Sequence, residues 1–275
     1  MKKLSEKIFS NGRQILEIVT LIIVTIIPWI FDLQEIFKEY LSNHPISPGD
    51  DFFWQVALRK GKPIASVIVF FVVLIAIRKF NQEFVMNRKR VYHDYSYAWY
   101  WFCAIILGIK KCDLVHVPIY MQFKLVIEAI FSDYPLDETE YPAVENELES
   151  TITELNQDGA TGEINLVLED TYVIETRQIP SSKQGYRTIK ICRNNGADNS
   201  RHFSQKYIDT IIKFVRSLKG RVVVNVYATT NPLNTKHIAK RAFGLGERGN
   251  VAHLYVFQQS KAGRRRFEEK GKRIY

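Results

Sequence analysis

The sequence predicts an α/β membrane protein, in which an N-terminal transmembrane helical hairpin and an interfacial helix precede a small cytoplasmic α/β domain with a mixed sheet. Three observations lead to this prediction. Two stretches near the N-terminus are almost purely apolar, the charge changes sign along the chain, and strand and helix patterns alternate after residue 163. A chain of 275 residues has room for one or two domains.

The two apolar stretches predict two membrane spans. The first, 15–31, contains one charged residue, Glu17, and the second, 63–79, is charged only at its end, at Arg78 and Lys79. A bilayer core is about 30 Å thick, so a helix needs roughly 17–25 residues to cross it. The first stretch has that length, and the second reaches it when its flanking basic side chains snorkel outwards. Helices of a soluble core are the alternative, but apolar helices of this length are hard to bury in so small a protein.

Basic residues beside the spans predict that both ends of the hairpin, 1–92, face the cytoplasm. Lysine and arginine are enriched in cytoplasmic loops, and here they precede the first span and follow the second. The second group includes Arg88, Lys89 and Arg90, which we expect to contact anionic lipid. Arg59, Lys60 and Lys62 are exceptions to this bias, because they lie between the two spans. The predicted location is the inner membrane of a bacterium.

The segment 93–131 contains the aromatic stretch YSYAWYWFCAIILGIKK, which we interpret as an interfacial or re-entrant helix. Its apolar part, 97–109, has 13 residues and as a helix is about 20 Å long, which is short of a bilayer. Trp99 and Trp101, with the neighbouring tyrosines, are typical of the belt that aromatic residues form at the membrane surface. A third span and a helix of a soluble core are the alternatives.

The charge of the chain changes sign near residue 176. Between Leu125 and Glu175 there are 14 acidic residues and no lysine or arginine, whereas from Arg177 onwards 22 basic residues stand against 5 acidic ones. The middle of the acidic block has few aliphatic residues. We therefore predict an acidic linker over 132–162, with a helix over 143–155.

The pattern that follows predicts an α/β domain over 163–260. EINLVLE and TYVIETRQI alternate as the strands of a small hairpin, and YRTIKICR, RVVVNVYAT and VAHLYVFQQ indicate three more strands. Two helices separate these three strands: SQKYIDTIIKFVRSL, whose apolar residues share one face, and NTKHIAKRAF. This order is typical of a compact α/β domain.

Two loops after predicted strands form the candidate ligand site. NNGADNSRHFS follows one strand and ATTNPLNT follows another, and if these strands are parallel neighbours both loops lie at the edge where open α/β sheets bind ligands. Helix N-termini at that edge favour phosphate. Ordinary turn and capping roles are the alternative for these residues. The residues predicted to line the pocket are Arg193, Asn195, Arg201, His202, Thr229, Thr230 and Asn231.

The last segment, 261–275, is predicted to be a basic tail that is too charged to join the core. It contains Arg264, Arg265 and Arg266, and such a cluster attracts anionic lipid or the phosphates of nucleic acid. A solvated tail is the alternative. The predicted partners are thus the lipid bilayer, a nucleic acid or ribonucleoprotein, and further copies of the chain, because spans of minimal length tend to associate.

Catalysis and metal binding are not expected. The sequence contains no nucleophile elbow, Walker loop or zinc-protease motif. The glycine-rich GLGERG follows a helix and indicates a turn. Cys103, Cys112 and Cys192 lack the spacing of metal ligands and are expected to be reduced thiols. We therefore predict no cofactor and no enzymatic activity.

The layout resembles the two-helix membrane effectors of bacterial anti-phage systems, of which retron-associated effectors are the nearest type. Two spans near the N-terminus, the aromatic segment SYAWYWFC and a small α/β domain carry this resemblance. It implies a role in abortive infection, in which a partner ribonucleoprotein restrains the effector until the inner membrane is permeabilised. It assigns no functional residue.

A second resemblance covers only the region from Phe203 to Arg241. NTKHIAKRAF is similar to a helix of OmpA-like peptidoglycan-binding domains through Asn234, Arg241 and Ala242. The aspartate of that family falls in ATTNP, where this chain has none, and the family function requires a periplasmic domain. A membrane-anchored peptidoglycan-binding or scaffold protein is therefore the alternative prediction.

Overall fold

The computed structural model describes residues 11–30, 39, 51–88, 91–143, 147–194, 201–246, 249–260 and 265–275. The chain forms two compact units. One, here called the helical unit, comprises Met1–Phe84 and Ala98–Lys110. The other, the sheet unit, comprises Val85–Tyr97 and Lys111–Tyr275. The predicted interfacial segment, 93–131, is therefore divided between the two units.

Two long helices dominate the helical unit, and they contain the two predicted spans. Helix α1 (Gly12–Ile30) packs against α2 (Asp51–Phe80). All of α1 and the part Gly61–Phe80 of α2 are long and apolar enough to cross a bilayer. Only 17% of the first segment and 6% of the second are buried. Most of their apolar side chains therefore point away from the protein.

A short third helix, α3 (Tyr97–Ile105), has nine residues and is about 13 Å long, too short to cross a bilayer. In the described chain, the two candidate spans are α1 and the second part of α2. The turn after α3 packs closely on α2: Gly108 has φ +73°, and a Cβ added there would lie 2.8 Å from Cγ of Arg78. Arg78 also donates to the carbonyl oxygens of Ile105 and Ile106.

A buried polar network joins the three helices of this unit. Asn81 is completely buried and donates to Oε2 of Glu17 at 2.9 Å and to the carbonyl of Leu107 at 2.9 Å. Arg13 donates to Oδ1 of Asn81 at 2.8 Å and to Oε1 of Glu17 at 2.9 Å. Because Glu17 lies on α1, Asn81 follows α2 and Leu107 follows α3, one amide side chain links all three.

The sheet unit is built on a six-stranded mixed sheet. A separate two-stranded parallel sheet consists of β1 (Val85–Met86) and β2 (Lys111–Cys112). The strands of the large sheet are β3 (Thr151–Leu155), β4 (Ala160–Glu169), β5 (Tyr186–Cys192), β6 (Val222–Ala228), β7 (Val251–Phe257) and β8 (Lys272–Arg273). Their order in the sheet is β3-β5-β4-β6-β7-β8, with four parallel strands in the centre and an antiparallel strand at each edge.

Each face of the sheet has its own covering layer. One face is aliphatic, with Leu166, Ile189 and Val226 in register and buried. Helices α4 (Ile119–Ile127) and α5 (Gln205–Ser217) both contact α6 (Pro232–Ala242), and α4 also contacts β7 while α5 contacts β5. The apolar stripe predicted for α5 is confirmed, since Tyr207, Ile208, Ile211, Ile212 and Val215 are all buried.

The opposite face carries an aromatic cluster that the basic tail helps to build. Tyr227 stacks on Phe257 with ring centroids 4.5 Å apart, and Phe267 meets Tyr227 edge-on at 5.1 Å. Phe267 is 4% exposed and Ile274 is also buried, while Lys272–Arg273 form the edge strand β8. The expectation that this segment stays out of the core is therefore wrong for residues 265–275, because Phe267 and Ile274 are buried among the charged residues.

Three further expectations differ from the structure. The region 151–155, predicted to be helical, is strand β3, and Tyr141 of the predicted linker is buried. TYVIETRQI is not a strand: it holds a 3-10 turn, Thr176–Gln178, and its Ile174 and Ile179 pack on the aromatic cluster. The predicted hairpin of EINLVLE with TYVIETRQI is therefore absent, and β4 is instead the parallel neighbour of β5.

Candidate functional site

The carboxyl ends of the four parallel strands meet at one edge of the large sheet. Glu169 ends β4, Cys192 ends β5, Ala228 ends β6 and Phe257 ends β7. The residues that follow these ends are mostly polar, as is usual where an open α/β sheet binds a ligand. The two predicted loops therefore lie at the same edge of the sheet, although their strands β5 and β6 are not neighbours, because β4 lies between them.

A buried ion pair ties the strand ends together. Asp170 follows β4, and its Oδ1 accepts from Nε of Arg193 at 2.7 Å, with side-chain exposures of 0% and 2%. Its Oδ2 accepts from the backbone N–H of Asn231 at 3.0 Å and from the side-chain amides of Asn231 and Asn234 at 3.0 and 2.9 Å. Burial raises the pKa of Asp170, while these donors act in the opposite direction.

The same network fixes the start of helix α6. Asn231 caps the helix by accepting from the N–H of Asn234 at 2.9 Å. The amides of Asn231 and Asn234 also donate to the carbonyl of His202, at 2.8 and 2.9 Å. Asp170, Arg193 and the two asparagines thus form an internal brace at this edge of the sheet.

Beside the brace lies a cavity of about 330 Å³, a volume in the range of about 300–1,000 Å³ that is usual for small-molecule sites. Its walls come from the ends of β4, β6 and β7, from the segment before α4 and from two isolated side chains. The lining residues are Tyr92, Val115, His116, Val117, Pro118, Ile119, Gln122, Thr171, Tyr172, Arg201, Ala228, Thr229, Thr230, Asn231, Pro232, Gln258 and Gln259.

Hydrogen bonds between the lining residues hold the cavity open. Oε1 of Gln258 accepts from the N–H of Ile119 at 2.9 Å, which places the N-terminus of α4 against the end of β7. Thr229 donates its hydroxyl to the carbonyl of Tyr172 at 2.9 Å, and the Tyr172 hydroxyl donates to Oε1 of Gln259 at 2.7 Å. The walls are therefore preorganised by residues from three strand ends and one helix.

The cavity suits an anion. Arg201 and His116 line it and are exposed to solvent, and none of the lining residues that the structure describes is acidic. Burial raises the pKa of Tyr92 to about 12, so this phenol remains a hydrogen-bond donor at neutral pH. At the rim, the Arg265 guanidinium lies 4.4 Å from the ring centroid of Tyr172.

The predicted pocket residues are divided between the cavity and the brace. Arg201, Thr229, Thr230 and Asn231 line the cavity. Arg193 is enclosed in the brace, and His202 contributes its backbone carbonyl to that brace while its Nδ1 lies 3.2 Å from the carbonyl of Pro142. Asn195 lies outside the described residues.

Sequence reasoning missed Asp170 and the walls contributed by Tyr92, His116 and Gln258. Asp170 stands directly after the strand pattern EINLVLE, so it carries the same signal as the two loops that are predicted to form the ligand site. It is absent from the predicted pocket because EINLVLE is predicted to be a strand of a hairpin. Tyr92 and His116 carry no comparable signal, since they are distant in sequence from the two loops that they face across the cavity.

The predicted membrane-contacting and basic residues have these positions. Trp99 donates from Nε1 to Oδ1 of Asn11 at 3.2 Å within the helical unit, and Trp101 is 42% exposed. Arg88, Arg265 and Arg266 are exposed. Lys89, Arg90 and Arg264 lie outside the described residues. Cys103, Cys112 and Cys192 are free thiols.

The residues behind the peptidoglycan-binding alternative serve other contacts. Asn234 is completely buried in the brace. Arg241, two turns further along α6, donates to Oδ1 of Asp209 at 2.9 Å. The two side chains therefore do not converge on one pocket. In the described part of the chain, no group of three or more His, Cys, Asp or Glu side chains could hold a metal ion.

Comparison with solved structures gives a distant similarity. Two structures of the SAVED/CARF-domain receptor Cap4 from Acinetobacter baumannii, each with a different cyclic trinucleotide, match 64% of this chain at 7% identity, with TM-scores of 0.41 and 0.39. The chain spans 41% of the length of that receptor. No curated protein matches the chain.

A family model gives a match along the whole length. It is the model of the SMODS- and ubiquitin system-associated 2TM effector domain, and it matches residues 1–275. The two membrane-capable helices of the structure agree with the two transmembrane segments in that description. The prediction of a two-helix membrane effector of a defence system is thereby confirmed. The chain belongs to the SMODS- and ubiquitin system-associated 2TM effector family.

Proposed function

We propose that this effector perturbs the bacterial inner membrane when an anionic ligand occupies the cavity at the carboxyl edge of its sheet. The cavity is the observation that carries the proposal. It combines a preformed volume of about 330 Å³ with the guanidinium of Arg201, the imidazole of His116 and no acidic lining residue among those described. Such a site attracts an anion, because its described lining has no acidic side chain that would repel one.

The helical unit supports the second half of the proposal. Its two spans are near the minimum length for a bilayer and present apolar side chains over most of their surface. Asn81 and Arg13 join the first span to the end of the second through a few hydrogen bonds, and such contacts are easily exchanged for others. A cytoplasmic sheet unit, with both chain termini on the same side, remains part of the proposal.

Ligand binding and leakage can be measured separately. The full chain is placed in liposomes loaded with a self-quenching dye, and a panel of anions is added: inorganic phosphate, a mononucleotide and a cyclic trinucleotide. We expect one of the nucleotide probes to bind, as seen by calorimetry, and to release the dye. Arg201→Ala should weaken binding about tenfold or more, since a hydrogen bond to a charged group contributes about 1.5–3 kcal/mol.

The matched control is Arg216→Ala, an exposed arginine on α5 that does not line the cavity. It should leave binding and leakage unchanged. Equal binding by the Arg201→Ala variant would contradict the assignment of the cavity. In cells, depolarisation that survives replacement of residues 15–77 by an unrelated pair of spans would contradict a role of the spans in the leak.

Three narrower expectations stay predictions. These are the association with a retron, contact with nucleic acid or a ribonucleoprotein through the basic residues, and the absence of enzymatic activity. A leak triggered by a small anion alone, without any nucleic acid present, would distinguish triggering by a ligand in the cavity from triggering by a nucleic acid or ribonucleoprotein.

A further inference from the structure

The two edges of the large sheet differ in charge and in protection. Strand β3 ends the sheet on one side and β8 ends it on the other, so each has a single neighbouring strand in the described sheet. The outer N–H and C=O groups of an edge strand are a template for pairing with another chain. Proteins usually protect such edges with lysine, proline or a covering element.

The β3 edge is apolar and acidic. Three of the six exposed large apolar side chains described in the sheet unit lie there: Leu148, Ile152 and Leu155 are 60%, 52% and 39% exposed. Glu149 and Asp158 flank the strand and are exposed as well, and Glu149 also forms an ion pair with Lys206 at 3.2 Å. The strand TITEL itself contains neither lysine nor proline. An exposed apolar edge of this kind is typical of an association site.

The β8 edge is basic and has a matching length. Lys270, Lys272 and Arg273 are exposed. The chain follows β7 beyond the two residues of β8, because the N–H of Ile274 donates to Leu254 at 2.8 Å and the N–H of Leu254 donates to Tyr275 at 3.2 Å. The segment 271–275 therefore runs along this edge and is as long as β3.

We propose that the β8 edge of one copy pairs with the β3 edge of a second copy, so that the sheet continues from chain to chain. Charge selects this arrangement. Pairing β3 with β3 would bring two acidic edges together and pairing β8 with β8 two basic ones, and like charges across strands destabilise a pair. Both edge strands run antiparallel to the four central strands, so the new pair is parallel when both copies keep the same face of the sheet on the same side.

This contact is heterologous, since two different surfaces meet. Each added copy leaves one free edge of each kind, and repetition gives a ring or an open filament. The contact requires neither the cavity nor its ligand. The inference therefore goes beyond the proposed function, and either one can fail without the other.

Cysteine cross-linking of the full chain tests the contact. Two versions of different tag length are co-expressed in membranes, one with Thr153→Cys on β3 and one with Arg273→Cys on β8, both with Cys192→Ser. We expect a disulfide-linked heterodimer from the mixture and no cross-link from either version alone. Cross-linking of one version with itself, or none in the mixture, would overturn the proposal.

A matched control and a charge exchange complete the test. Lys213→Cys, on the exposed side of α5, should not cross-link with Thr153→Cys. Adding Lys270→Glu and Lys272→Glu to the Arg273→Cys version should lower the heterodimer yield about tenfold, and less so at high salt. Adding Glu149→Lys and Asp158→Lys to the Thr153→Cys version should restore it. Failure of this restoration would remove charge as the selecting force.

Discussion

The helical unit and the sheet unit differ in where their apolar side chains lie: they are largely exposed in the first and buried in the second. In the helical unit, apolar side chains such as Leu16 and Ile75 are 66% and 65% exposed, while Asn81 is completely buried. In the sheet unit, Leu166 and Ile211 are completely buried. This is the difference expected between a unit that folds around an apolar core in water and a unit whose apolar surface faces lipid.

The largest effect is expected at the brace of the sheet unit. Asp170→Ala leaves the guanidinium of Arg193 buried without its carboxylate, which costs roughly 3–5 kcal/mol of the free energy of unfolding. Asp209→Ala, which removes an exposed ion pair with Arg241, should cost at most about 1 kcal/mol. Guanidinium unfolding of the full chain in detergent, followed by circular dichroism, measures both. Equal losses would show that the brace does not hold the sheet.

Matched isoleucines sharpen the comparison between the units. Ile211→Ala removes a completely buried side chain and should cost about 2–5 kcal/mol. Ile26→Ala removes one that is 47% exposed on α1, where lipid replaces the lost contacts, so we expect little change in the same unfolding measurement. A loss at Ile26 as large as that at Ile211 would indicate that α1 is covered by protein.

A smaller effect is expected from the polar network of the helical unit. Asn81→Leu removes the donor to Glu17 and Leu107, and hydrogen bonds between membrane helices contribute about 0.6–1.7 kcal/mol. The unit should therefore open more often without unfolding. Cys103 is completely buried in this unit, so its rate of alkylation in a variant that lacks Cys112 and Cys192 reports the opening. An unchanged rate would contradict the linking role of Asn81.

The smallest perturbation is a change of pH. Burial raises the pKa of the Cys103 thiol to about 12. At pH 8 the thiolate is therefore about a thousandfold scarcer than for a free cysteine with a pKa near 8.5, and alkylation is slower by the same factor. The rate should rise about tenfold per pH unit up to pH 10. A plateau near pH 9 would show that the thiol is exposed.

Sequence patterns predicted the elements of this chain better than their arrangement. The apolar runs of α1 and α2 and the stripe of α5 specify helices by composition and spacing. Whether EINLVLE pairs with the next segment or with a distant strand depends on long-range contacts, and so the parallel pair of β4 and β5 was missed. The tail was misjudged because its charges outnumber Phe267 and Ile274, the two residues that anchor it.

The candidate site was recovered in part for the same reason. Arg201, Thr229 and Asn231 follow or precede elements whose ends can be located in the sequence, and they line the cavity. His116 and Gln122 belong to the segment 93–131, for which an interfacial location is predicted, and Tyr92 is the last residue of the predicted hairpin, 1–92. A cavity wall contributed by a distant segment has no local signature, because only folding brings it there.

The position of β8 at the outer edge of the sheet has a consequence for biosynthesis. The ribosome makes Phe80, the last residue of the second span, long before it makes Lys272, the first residue of β8. In the proposed membrane arrangement, the hydrophobic hairpin is therefore available for insertion while the domain that follows still lacks most of its strands. Insertion of the two spans can thus precede completion of the sheet, so that a nascent chain is anchored before its proposed edge contacts with a second copy can form.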